Sequence, residues 1–161
     1  MPVLHTIAIA LHALSATGAF FVGVALLFQT SALRQLHLAR GMVALLLFMA
    51  VFLVIAILSH ITTLPTISLL VFGGLFLLLL YMIWRAVQAV TVLSTPQTVD
   101  QRIVVDHVGF VLISLFDGFV IVSSLDLQAP GWLIAVVAVG GVVVGIAAIT
   151  LRKQSIALHQ G

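Results

Sequence analysis

The sequence predicts an all-α, polytopic membrane helix bundle of five transmembrane helices, and three observations carry that reading. Of 161 residues, 63% are hydrophobic and only 6% charged, against about 25% charged in soluble domains, which excludes a water-soluble fold. Uncharged runs over Met1–Leu33, Gly41–Trp84 and Leu127–Leu151 are each long enough to cross a hydrocarbon layer about 30 Å thick. Pro65, Pro96 and Pro130 fall between apolar stretches, where a missing amide and a fixed φ favour a break.

The first span, 4–28, follows an N-terminus without basic residues, and Ala8–Phe28 continues apolar past a signal-peptide core, which predicts a retained helix. Gln29–Arg40 is the most polar stretch before residue 94 and is expected to be a loop, so the second span reads 41–61. The third, 67–90, ends on an amphipathic face of Tyr81, Trp84, Arg85 and Gln88, as expected of an interfacial aromatic belt with a snorkelling arginine. The fourth, 103–125, is the least apolar, since Asp106, His107 and Asp117 are costly in hydrocarbon; a four-span alternative makes it amphipathic or re-entrant. The fifth, 131–151, carries Gly141-x-x-x-Gly145 followed by Ala148, a small-residue face suited to close helix approach, to docking on a larger membrane complex, or to a homo-oligomer. Too few residues lie outside these spans for a separate soluble domain, so residues 1–161 form a single integral membrane domain.

Arg34, Arg40, Arg85, Arg102, Arg152 and Lys153 all fall on one side of such a bundle. The positive-inside rule makes that side cytoplasmic, with the N-terminus outside and the C-terminus inside, in an inner (plasma) membrane. An odd number of spans is required for this, which favours five over four.

Composition also limits the chemistry. The chain has no Cys and no Glu, which removes disulfides, thiolate metal sites and His-Glu-x-x-His proteolysis. No Gly-rich phosphate loop or Gly-x-Ser-x-Gly is present, so neither nucleotide use nor serine hydrolysis has support, and with six basic residues in all nucleic acid is not an expected partner. Lys153, the sole lysine, lies in the polar tail, which excludes a retinal Schiff base within the bundle. The chain is thus not expected to be an enzyme by itself.

What remains is a polar concentration in the outer half of the bundle. At 1.5 Å per residue, His12 falls about 8–12 Å below the outer boundary, Asp117 about 12 Å below it, and His60 within about 3 Å of it. Ser15, Ser59, Thr62, Ser123 and Ser124 add hydroxyls, and Asp126 lies in the loop above. Neutral imidazoles from two helices can ligate a b-type haem, so His12 and His60 are candidate axial ligands, with Ser15 beside them on a stripe of Ala8, Ala19 and Gly23 that could admit a porphyrin edge. Alternatively His12, His60 and Asp117 could hold a transition-metal ion. Either cofactor would suit electron transfer beside a larger partner. Two other readings stay open: a non-catalytic accessory subunit, and a small proton- or cation-coupled carrier using His12 and Asp117 at matching depth. The simplest role for these side chains is hydrogen bonding across helices. A second inner haem would need His37 and His107, while His5 and His159 are expected to be solvated near the termini.

The segment Leu11-His12-Ala13-Leu14-Ser15-Ala16, followed by Gly18 and Gly23, resembles the first helix of small bacterial membrane proteins related to the copper-resistance D proteins and the DUF2269 group, in which a Leu-His pair opens a Gly-rich helix. The resemblance covers about 25 residues. It implies a bacterial inner-membrane protein and makes His12 a haem or copper contact.

Overall fold

A computed structural model describes residues 2–59, 66–95, 100–127 and 129–158. Among them five helices follow one another: α1 (Pro2–Phe28), α2 (Ala32–Leu58), α3 (Thr66–Ser94), α4 (Gln101–Asp126) and α5 (Gly131–Leu158). Each is long and apolar enough to cross a membrane, so the chain is a multi-pass membrane protein in contact with the lipid bilayer. Hydrocarbon offers no partner for a backbone amide or carbonyl, and a helix satisfies both internally. The fourth segment is a full-length helix like the others, not a re-entrant one.

Two boundaries differ most from the sequence reading, by nine residues at the start of α2 and seven at the end of α5. The expected loop over residues 29–40 shrinks to Gln29–Ser31, where the Gln29 Oε1 accepts from the Thr30 and Ser31 amides at 2.9 and 3.2 Å. Residues 32–40 are the first turns of α2, because Leu, Arg, Gln and Ala are strong helix formers and because Gln35, Ala39 and Met42 are spaced to turn one face inward, where all three are buried. α5 likewise runs seven residues past the expected end at Leu151, carrying Arg152 and Lys153 on a helix and not in a tail. Polarity marks where a helix leaves hydrocarbon, not where it stops. At 26–29 residues the helices are about 40 Å long, well over the hydrocarbon thickness. Local chemistry starts α4: the Asp100 carbonyl accepts from Ile103 and Val104, and its Oδ1 accepts from the Arg102 amide at 2.9 Å, an N-cap.

α1 to α4 close a ring in which α1 packs on α2, α2 on α3, α3 on α4 and α4 on α1, while α5 packs along α4. The ring encloses a core with stripes at three- and four-residue steps, Leu79, Met82, Ala86 and Ala89 on α3 and Val104, Val108, Val111 and Leu115 on α4, the spacing of one helical face. None of the described side chains of α5 is buried. It meets α4 through notches. A Cβ at Gly141 would fall 2.5 Å from Asp117 Oδ1 and 3.2 Å from the Phe116 ring, one at Gly145 would collide with Ile113, and one at Gly109 of α4 would collide with Ile149. Each of these three contacts pairs residues in one antiparallel register. The Gly141/Gly145 face that the sequence offers to a partner complex or a second copy is therefore occupied by α4 of the same chain.

Candidate functional site

His5 and His12 stand two helical turns apart on α1, and each reaches a backbone carbonyl two turns apart on α2. His12 Nδ1 lies 2.9 Å from the Met49 oxygen. His5 Nδ1 lies 3.1 Å from the Ala56 oxygen and 3.2 Å from Ser59 Oγ, whose own hydroxyl donates to Ala56 at 2.8 Å. A carbonyl oxygen only accepts, so Nδ1 of His12 must carry the ring proton, and Nε2 keeps its lone pair. Continuing the same register by two further steps of two turns brings Ala19 opposite Met42 and Leu26 opposite Gln35, all four buried. The histidines thus extend the core seam toward the end of the bundle where α1 begins. His5 departs from the expected solvated role: it is half-buried and tied to α2. The signal was present in the seven-residue spacing of His5, His12, Ala19 and Leu26.

The other expected ligands go elsewhere. Ser15 Oγ donates to the Leu11 carbonyl of its own helix at 2.8 Å. Asp117 faces α5 across Gly141, and its Oδ1 is buried without a hydrogen-bond partner among the described residues. A Cβ at Gly23 would sit 2.9 Å from Leu112 of α4, which marks where α1 meets α4. His12 and Asp117 address different helices, His12 turning to α2 and Asp117 to α5. His60 and Thr62 lie outside the described residues, and among those described no three His, Asp or Glu side chains gather as a metal site. The small-residue stripe of α1 is filled in part by its neighbours: Ala8 and Ala19 are buried, and Gly23 is closed off by Leu112 and Met42.

Among the described residues the richest polar assembly lies at the opposite end, where α1 finishes and α4 begins. Lys153 of α5 bonds both Asp106 carboxylate oxygens at 2.7 and 2.8 Å. Arg152 donates to the Leu27 carbonyl at 3.0 Å and covers the Phe28 ring at 5.6 Å. Arg85 of α3 donates to the Asp106 carbonyl at 2.8 Å. Deeper in the ring, Gln35 of α2 and Gln101 of α4 exchange amide hydrogen bonds at 3.0 and 3.3 Å, and Gln35 also donates to the Gln29 carbonyl. Gln35 is 5% exposed, the one buried polar side chain among the described residues. Sequence reasoning missed this pair, since glutamine in an expected loop carries no signal of burial. His37 is exposed and turned to Leu33 of its own helix, so it does not join His107 in a second ligand pair.

Charge at this end contributes less than its number suggests. The side chains of Lys153 and Asp106 are 35% and 44% exposed, and ion pairs this open are worth about 0–1 kcal/mol. Asp106→Asn is expected to lower unfolding stability in mild detergent by no more than that, with the loss shrinking further in high salt. No protein-family model, curated protein or solved structure matches this chain.

Proposed function

We propose that the protein is a multi-pass inner-membrane protein that uses His12 to ligate a b-type haem or a transition-metal ion, for electron transfer beside a larger partner. The observation that supports this is the bond from His12 Nδ1 to the Met49 carbonyl. It fixes ring orientation and tautomer and directs the basic Nε2 away from α2, the outer-shell arrangement in which ligating histidines are commonly held. The proposal rests on His12; His60, the other ligand the sequence offers, lies outside the described residues. Asp117 is not needed. The likeness of the Leu11–Gly23 stretch to copper-resistance D-type first helices points the same way. In this proposal the end bearing Arg34, Arg40, Arg85, Arg102, Arg152 and Lys153 is cytoplasmic, and both termini follow from that.

The test is an absorption spectrum of the protein purified in mild detergent. A Soret band that His12→Ala abolishes and His37→Ala leaves intact is the expected result for haem, and stoichiometric metal lost in His12→Ala is the expected result for an ion. A colourless protein without bound metal overturns the proposal. A second reading, an accessory subunit without chemistry, is favoured by α5, which presents Val136, Val139, Val143 and Ile146 outward with more than half of each exposed. It predicts co-purification with a stable membrane partner, with or without colour.

A further inference from the structure

Arg85 is a cation with no carboxylate partner among the described residues. The Asp106 carboxylate is held through both oxygens by Lys153, and Arg85 reaches only the Asp106 backbone carbonyl, through Nη2 at 2.8 Å. Its guanidinium lies over the Phe110 ring at 5.2 Å, while its Nε is buried without an acceptor. Across the α3–α4 contact, His107 Nδ1 is also buried without a partner, and the Arg85 charge acts on this ring. Two unanswered nitrogens beside an uncompensated charge are expensive at the edge of hydrocarbon.

The surroundings say what would answer them. Tyr81 and Trp84, on the same helix, stack at 5.4 Å and are 43% and 51% exposed. Tyr81 also meets Phe110 edge-on at 5.1 Å. Such aromatics sit at headgroup level. A guanidinium presents a planar fork that fits phosphate oxygens, and basic niches between membrane helices accept anionic headgroups. Arg152 repeats the arrangement in part, bonded to the Leu27 carbonyl, lying over the Phe28 ring and with its own Nε buried without an acceptor, but it lacks the Tyr81–Trp84 pair; Lys153 is bonded to Asp106, and Arg34, Arg40 and Arg102 are exposed. We infer that Arg85 and His107, flanked by Tyr81 and Trp84, form a site for the phosphodiester of an anionic phospholipid. A pivot of the guanidinium over Phe110 turns its Nε edge to the phosphate, and the His107 ring supplies the second donor.

The experiment is native mass spectrometry of the full chain released from detergent containing equal phosphatidylglycerol and phosphatidylcholine. The wild type should retain phosphatidylglycerol preferentially. One arginine near a membrane surface is worth about 1 kcal/mol toward anionic lipid, so Arg85→Gln should reduce that preference about fivefold. His107→Phe leaves the cation in place and removes the second donor, so it should reduce the preference as well and keeps the test decisive should Arg85→Gln not fold. An unchanged preference in either folded variant, or an equal fall in the exposed-site variant Arg102→Gln, overturns the inference. Displacement of the lipid by millimolar inorganic phosphate also overturns it, in favour of a site for the free ion.

Discussion

Replacing Gly145 with leucine should loosen α5 from α4 and lower stability by about 1–3 kcal/mol, the cost of forcing side-chain volume into a filled contact. The position allows no easy relief, because a Cβ at Gly145 already collides with Ile113, a β-branched side chain on a helix with one strongly preferred χ1. Gly141→Leu should behave the same way, against Phe116 and Asp117. The informative comparison is the adjacent pair. Gly140 has open space where its Cβ would go, so Gly140→Ala gains helix propensity, up to about 1 kcal/mol, and should be neutral or stabilising. Gly141→Ala pushes a methyl against the Asp117 carboxylate and should destabilise. Unfolding in mild detergent, followed by circular dichroism, measures all four. Equal responses at Gly140 and Gly141 would show that α5 does not use the face assigned to it.

Those glycines illustrate what a sequence can carry about such a fold. Gly141-x-x-x-Gly145 marks a close helix contact, and the contact exists, yet nothing in the spacing says whether the helix opposite belongs to the same chain. That depends on register, which is set by Ile113 and Asp117 on α4 and by Ile149 fitting back into Gly109. Span number and order were legible because hydrophobic length and proline breaks report directly on the crossing of a bilayer. The ends were not legible at α2 and α5. The segment from Ala32 to Arg40 and the stretch beyond Leu151 look like loop and tail when polarity is the guide, but a helix in water or headgroups keeps its own hydrogen bonds.

The candidate site divides along the same line. His12 is identifiable as a constrained histidine from its place on an apolar face. The register connecting His5 and His12 to Ala56 and Met49 requires knowing that α2 begins at residue 32, and so near α1. With a twelve-residue loop between them, Met49 opposite His12 would not be anticipated. Asp117 shows the opposite difficulty: depth counted from a helix end placed it beside His12, while its azimuth on α4, one turn from Ile113 and on the α5 side, sends it elsewhere.

Gln35→Leu should be the other costly substitution. The Gln35 amide donates to the Gln29 carbonyl and to Gln101 Oε1 and accepts from Gln101 Nε2. Leucine satisfies the apolar neighbours Ala39 and Met42 but leaves the Gln101 amide and the Gln29 carbonyl without these partners. A donor or acceptor stranded in this way costs about 1–3 kcal/mol, more than the net gain of the bond when made. Gln101→Leu should also destabilise, since it strips the nearly inaccessible Gln35 amide of its counterpart. Removing both amides is different. Gln35→Leu with Gln101→Leu leaves neither side chain stranded, so the double variant should be more stable than the sum of the single losses predicts, by about 0.5–3 kcal/mol of coupling. The cycle is read from thermal or denaturant unfolding of the four proteins under one detergent condition. Strict additivity would mean that the two amides do not meet, and with that the clamp between α2 and α4 that spans the ring at its charged end would be lost.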